Sequence, residues 1–401
     1  MPRLFPFEAL MYDPAVAGSL ELVTAPPYDV ISDARRREHL SASPFSVVHL
    51  DLAEGSSDPA DPGSRYARAA ELLRTWEAGG ALVRTEEPSY FAYEMRFSHE
   101  GRSKRVRGVL GAIELEDWGG GVVPHERTMP GPVEDRLRLL RAIRTHLSPV
   151  YGTVDGPCPP LTQLLDSVTA VEPHSVVADE QGVQHRMWPI AGNEPIGGWL
   201  AAEPLLIADG HHRYTTALHY RSERRAAEGP GPWDRLLTFV VDAGSERISV
   251  SPFHRVQLGG TVPEIGTPAP SLADVLSALS DDDLVIGVSI GRGAGVEYRT
   301  VRLHGDPPAV RALHAEVLDG RVPPLELRFV PDAHQADATV RDGSAVAAWF
   351  LPATRPDRIR KVVQRGERLP QKSTYFWPKP RTGVVMMPLE PVTRSPRPRA
   401  S

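Results

Sequence analysis

Asp209-Gly210-His211-His212-Arg213 places a carboxylate, two imidazoles and a guanidinium within five residues. A short apolar run, Pro204 to Ala208, leads into them, and a helix-like stretch, Tyr214 to Arg224, leaves them. The group therefore stands at a strand-to-helix turn. A helix starting there presents unpaired backbone N–H groups and the positive end of its dipole, which suits an anion such as phosphate. Gly210 lets the backbone approach a ligand closely. Arg213 can grip phosphate or carboxylate bidentately. Asp209 can accept a proton or face a metal ion, and His211 or His212 can donate to a phosphate. The chemistry this stretch points to is phosphate handling.

A second concentration of reactive groups is His125-Glu126-Arg127-Thr128, in a loop that precedes a helix. Loops that gather such groups are more often sites than scaffolding. Among 45 basic residues the only lysines are Lys104, Lys361, Lys372 and Lys379. Lys372 and Lys379 lie seven residues apart, and a compact ammonium is a good mobile partner for phosphate. Lys372 is flanked by the hydroxyls of Ser373 and Thr374. The common schemes fail. No stretch matches a P-loop, and Gly287-Val288-Ser289-Ile290-Gly291 is followed by a second strand rather than the helix a nucleophile elbow needs. Gly291, Gly293 and Gly295 have the wrong spacing for a dinucleotide fingerprint, and His125-Glu126 reaches Met129 where a zincin needs histidine.

Several elements must position these groups. Asp33 to Ser41 reads as a helix capped by Ser32, and Arg65 to Ala78 as an amphipathic helix ending at Gly79-Gly80. Ser89 to Phe97 and Arg105 to Leu115 read as a hairpin. Pro132 to Leu147 reads as a helix with Leu137, Leu140 and Ile143 on one face and Arg138, Arg141 and Arg144 on a solvated one. Thr162 to Glu172 reads as a helix and Leu236 to Asp242 as a buried strand. Gly259 to Pro270 is the best boundary candidate. Beyond it come a helix at Ser271 to Leu279, a hairpin of Leu284 to Ile290 with Val296 to Leu303, and a helix at Ala309 to Val317. His254 reads as a packed or surface histidine.

The expected organisation is a mixed α/β (α+β) core over residues 1–258, a second α+β region over 259–350, and a segment over 351–389 that returns to the site. A tail over 390–401, which ends in Ser395 to Ser401 with no apolar content to dock, is expected to be disordered. The net charge of −6 over 401 residues gives no basic footprint for nucleic acid. The single cysteine, Cys158, cannot form an internal disulfide. With no stretch resembling a signal peptide or a membrane span, the expected location is cytoplasmic, with no membrane partner.

The chain resembles the family known as domain of unknown function 1015. The resemblance rests on Ala25-Pro26-Pro27-Tyr28-Asp29-Val30-Ile31, Pro124 to Thr128, Leu147-Ser148-Pro149-Val150-Tyr151-Gly152, Ala208 to Tyr214 and Gln371-Lys372-Ser373-Thr374-Tyr375-Phe376. The Asp-Gly-His-His-Arg turn is also similar to one in free-serine kinases with the ParB-like nucleotide-binding fold. That likeness implies a ParB-like core elaborated by extra strands and helices. It further implies a small-molecule kinase that moves a phosphoryl group from ATP or ADP, with Mg²⁺, to a hydroxyl such as that of free L-serine.

On this reading Asp209 is the first choice of base, with Glu126 and Asp29 as competitors, and His211 and His212 lie at the reacting phosphate. Tyr28, Asp29, His125, Arg127, Thr128, Gly210, Arg213, Lys372, Ser373 and Thr374 hold substrate or nucleotide, and the segments around Tyr28, His125 and Lys372 are expected to meet at the turn. Two alternatives remain open. One is a metal-dependent hydrolase whose ion is held by His125, Glu126, His211, His212 and Asp209, and the other is a non-catalytic sensor of a nucleotide or phosphorylated metabolite.

Overall fold

The structure, a computed structural model, describes residues 3–99, 101–154, 157–200, 204–244, 246, 248–293 and 295–390. Beyond Glu390, the expected tail lies outside the described residues. Two units are formed, one of Met1–Val123, Thr128–Arg247 and Pro378–Ser401, the other of Pro124–Arg127 and Ile248–Trp377. Of the expected core over 1–258, residues 248–258 belong to the second unit. So does all of 259–350, together with 351–377, while 378–390 belongs to the first.

The first unit begins with the strand Leu4–Phe5 (β1). Among the helices that follow are Asp33–Ala42 (α1), Val48–Asp51 (α2) and Arg65–Ala78 (α3). Ser32 and Ser64 cap α1 and α3 by accepting from the N–H groups of Arg35 and Ala67, which satisfies donors a helix start leaves unpaired. The expected hairpin is Ser89–His99 (β2) with Arg102–Glu114 (β3). Next come Val122–Pro124 (β4), Pro130–Ile143 (α4), Val150–Val154 (β5), Pro159–Val168 (α5), Ser175–Ala178 (β6) and Gln184–Ala191 (β7). Leu205–Asp209 (β8), His211–Glu228 (α6) and Arg235–Asp242 (β9) complete the set.

These strands form one sheet in the order β4-β8-β5-β9-β3-β2-β7-β6, with β1 added against β3. Strand β9 runs parallel to β5 and antiparallel to β3, so the architecture is mixed α/β. Val109, Ile207, Leu236 and Val240 from the sheet pack with Tyr214 and Ala217 of α6 in one buried cluster.

Among the expected boundaries that move, three have a clear local reason. The helix expected from Pro132 to Leu147 is Pro130–Ile143, because Arg144 turns left-handed at φ 47° and Thr145–His146 pairs with Met387–Pro388. The helix expected from Thr162 starts at Pro159, a residue that tolerates the first helical position. Helix α6 starts at His211 rather than Tyr214, since Gly210 at φ 94° is its N-cap. Arg138 and Arg141 pair with Glu134 and Glu223, and Arg144 with Glu390, on a surface-exposed face as expected.

The second unit contains Ser249–Pro252 (β10), His254–Gln257 (β11), Thr267–Ala269 (β12), Leu272–Ala278 (α7), Val285–Arg292 (β13) and Gly295–Arg302 (β14). Leu327–Val330 (β15), Ala333–Arg341 (α8), Ala347–Phe350 (β16), Pro356–Gln364 (α9) and Thr374–Trp377 (β17) follow. Its main sheet has the order β12-β14-β13-β16-β11-β15, and β10 pairs with β17. The Gly287–Gly291 stretch lies on β13 and runs into β14, which matches its expected place in a hairpin. His254 is packed, accepting the Leu351 N–H at Nδ1. Among the described residues no helix is long and apolar enough to cross a membrane.

Gly108, on β3, has no room for a side chain, because a Cβ there would stand 2.3 Å from the Val240 carbonyl oxygen and 2.7 Å from the Phe239 ring. Gly108→Ala is expected to destabilise the protein by about 2–3 kcal/mol through overpacking. An unchanged midpoint in chemical denaturation would contradict this packing.

Candidate functional site

Asp209 ends β8, where the register against β5 shifts between Ile207 and Asp209. A shift of this kind re-aims the side chain that follows it. One carboxylate oxygen, Oδ2, accepts from Arg213 Nη2 at 2.7 Å, and the other, Oδ1, accepts from Lys379 Nζ at 2.5 Å. Arg213 Nη1 donates to Ser148 Oγ at 2.9 Å and also to the Pro149 carbonyl. The Lys379 ammonium lies 3.5 Å from Asp29 Oδ2. Two carboxylates and two cations thus form one linked cluster, with Lys379 only 5% exposed.

Local chain geometry explains how residues so distant in sequence meet. Asp209 pairs with Tyr151 across the sheet, so Ser148 and Pro149, which lead into β5, arrive beside the turn. Residues 379–382 are zipped to the segment before Tyr28: the Ala25 and Thr382 backbones exchange hydrogen bonds at 3.2 and 2.8 Å. Arg381 donates to the Thr24 hydroxyl at 2.9 Å and to its carbonyl at 2.7 Å. This pairing carries Lys379 to Asp29, which sits on a 3₁₀ turn, Tyr28–Val30.

Behind the cluster lies a second buried ionic group. Arg136 of α4 donates to Asp51 at 2.7 Å and to Asp135, and its guanidinium lies 4.4 Å from the centre of the Tyr28 ring. Burial, with the charge of Asp29 adding to it, holds the Tyr28 phenol well above its ordinary range, against the opposing pull of Arg136 and Arg213. Burial also raises the Asp51 carboxyl, and Arg136 opposes it. A small cavity of about 50 Å³ is bounded by Tyr28, Asp51, Arg136, His146, Ser148 and Arg213.

The two histidines of the turn have different surroundings. His211 is buried and stacks on Trp118 with the ring centres 6.4 Å apart. His212 Nε2 accepts the Met129 N–H at 3.0 Å, which ties the turn to the residue before α4 and places the proton of a neutral ring on Nδ1. Thr128 precedes that contact and lies in the same unit.

The other expected site residues are gathered in the second unit. The Glu126 carboxylate accepts from the backbone N–H groups of Lys372 at 3.0 Å and of Ser373 and Thr374 at 2.9 Å, and from the Thr374 hydroxyl at 2.8 Å. His125, fully buried, contacts the same hydroxyl at 2.7 Å. Ser373 Oγ donates to the Pro370 carbonyl at 2.6 Å. Lys372 has a left-handed φ of 52°, and its ammonium lies 5.3 Å from the Phe253 ring centre. Arg255, fully buried, donates to the carbonyls of Gln371 at 3.2 Å and Lys372 at 2.7 Å, and burial pulls its guanidinium down to about 9. Arg127 is exposed.

Tyr28, Asp29, Gly210 and Arg213 are therefore grouped with Asp209, while His125, Glu126, Lys372, Ser373 and Thr374 are grouped with one another. Ser148, Asp51 and Arg136 carry no role that their sequence context suggests, and Lys379 stands out only as one of two lysines suited to phosphate. The scarcity of lysine was the one signal that marked Lys379. The five-residue metal centre expected for a hydrolase is not formed: among the described residues no three His, Cys, Asp or Glu side chains gather as ligands for an ion.

A family model described as "Protein of unknown function (DUF1015)" matches residues 4–264. Comparison with curated proteins finds no match. Among solved structures, a free serine kinase in complex with AMP is similar at 14% identity and a TM-score of 0.36, over 64% of this chain and 83% of that one. A conserved hypothetical protein from Pyrococcus furiosus is similar at 13% identity and 0.36, over 65% and 90%. C-terminally truncated SbnI from Staphylococcus aureus is similar at 12% identity and 0.35, over 67% and 82%.

Two outcomes follow from the geometry. Glu126→Ala removes the acceptor of three consecutive amides, so hydrogen exchange at Lys372, Ser373 and Thr374 is expected to rise by about tenfold or more; unchanged exchange would contradict the clamp. Burial lowers both His146 and His254 to about 4, with Arg213 also lowering His146 and Arg255 lowering His254. Because these folded-state values lie below that of an unfolded histidine, the stability they confer is complete above about pH 6.5 and is lost as pH falls through about 4. Each contributes at most about 3 kcal/mol. Thermal melts should show the decline in that window, and replacing His254 with Gln should flatten it.

Proposed function

This chain belongs to the DUF1015 family, and from that premise we propose that it is a small-molecule kinase that transfers a phosphoryl group from ATP or ADP to a hydroxyl. The observation that carries this reading is the paired grip of Lys379 and Arg213 on Asp209 at the start of a helix whose N-cap, Gly210, has no side chain to cap it. Phosphoryl transfer asks a protein for positioning and charge neutralisation more than for covalent chemistry. A fixed guanidinium and a buried ammonium at the positive end of a helix supply both. The acceptor is taken to be free L-serine, from the similarity of the Asp-Gly-His-His-Arg turn to that of free-serine kinases.

In this mechanism Asp209 holds the two cations, since each of its oxygens already accepts from one of them. Asp29, which shares the Lys379 ammonium, receives the proton of the attacking hydroxyl. The hydroxyl oxygen bonds to the terminal phosphorus as the bond to the nucleotide's bridging oxygen breaks, and the shortened nucleotide leaves with that electron pair. Asp29 and Asp209 are hard oxygen donors of the type Mg²⁺ takes alongside substrate phosphates, and the ion would neutralise phosphate charge there. Glu126 is not the base in this scheme, because its carboxylate holds the 372–374 backbone.

The test is incubation with ATP or ADP and free L-serine, followed by detection of O-phosphoserine and of the shortened nucleotide. Asp209→Asn and Asp29→Asn are each expected to lower turnover by at least about 10³-fold while the protein remains folded. Full activity in either variant would remove that residue from the mechanism. Saturable nucleotide binding without product from any hydroxyl acceptor would favour the sensor reading.

A further inference from the structure

Within the first unit, a cavity of about 460 Å³ opens among α1, α2, α3 and α4. Its volume falls in the range of small-molecule sites. Two of its lining groups have unmet hydrogen-bonding capacity. The Arg65 side chain is 34% exposed, and its guanidinium donates from Nη2 to Asp135 and to the Tyr66 hydroxyl, which leaves Nη1 for a ligand. Asp51, 7% exposed, is held through Oδ1 by Arg136 at 2.7 Å, and no donor among the described residues reaches Oδ2. Asp51 and the partly exposed Arg65 guanidinium thus present an acceptor and a donor to one cavity, which suits a ligand that supplies the complement of each. Leu50 and Leu139 add an apolar wall.

We infer that this cavity binds a small zwitterion with a short aliphatic body, its ammonium donating to Asp51, its carboxylate accepting from Arg65, and its hydrocarbon lying on Leu50 and Leu139. Glu54, exposed and also lining the cavity, adds negative charge to it and lies 3.9 Å from the Arg36 guanidinium. Asp51 and Arg136 line both this cavity and the small one that holds Tyr28 and Arg213. Occupancy therefore bears on the pair that packs behind the Asp209 cluster. The binding itself does not depend on what that cluster does.

The test is calorimetric titration of the full chain with three probes: L-norvaline, pentanoate, which lacks the amine, and butylamine, which lacks the carboxylate. Saturable binding of L-norvaline is expected, with each of the other two weaker by about tenfold or more. Arg65→Lys keeps a charge for Asp135 but removes the guanidinium fork, and should weaken L-norvaline by about tenfold. Should that variant unfold, Glu54→Lys at the exposed rim provides the second test, with an expected loss of about threefold or more from repulsion of the ammonium. Equal affinity for the three probes, no binding of any at about 10 mM, or L-norvaline binding that a folded variant leaves unchanged would each overturn the inference.

Discussion

The Asp209 carboxylate is the interaction on which the rest of the first unit's chemistry depends. It holds a guanidinium on one oxygen and an ammonium on the other, and both cations are largely withdrawn from water. Cations in such a place are tolerated because they are paired, and removing the shared anion would leave Lys379 with Asp29 alone and Arg213 without its carboxylate. The register shift in β8, the left-handed Gly210 and the zipped segments at Ala25 and Thr382 each serve to bring these charges together.

The second unit uses charge differently. Glu126 collects backbone N–H groups from residues 372–374, and Arg255 collects carbonyls from residues 371 and 372. A carboxylate and a guanidinium thereby satisfy opposite sides of one irregular segment, including a residue in a left-handed conformation. The backbone there has no regular ladder to satisfy it before β17 begins, so ionic side chains perform that task.

Much of the framework was legible because it rests on local rules. Period-two patterning marked the β2–β3 hairpin, Ser32 marked the start of α1, and Gly210 marked the turn into α6. The ionic partners were not legible, since Lys379 lies 170 residues from Asp209 and no spacing rule spans that distance. Lysine scarcity pointed to Lys372 and Lys379 alike and could not choose between them. Glu126 illustrates a second limit: a loop carboxylate reads the same whether it takes protons from substrate or hydrogen bonds from the backbone. Arg136 was passed over because the arginines around it, Arg138, Arg141 and Arg144, form a surface stripe, whereas its own side chain turns inward to Asp51.

Under the proposed kinase mechanism, Lys379 and Arg213 hold a nucleotide's phosphates. Calorimetric titration of ADP into the unaltered protein and into Lys379→Met measures this without requiring turnover. The prediction is saturable binding to the unaltered chain and an affinity lower by about tenfold or more in the variant, with its thermal transition still cooperative. Equal affinity for ADP in the two proteins would contradict it.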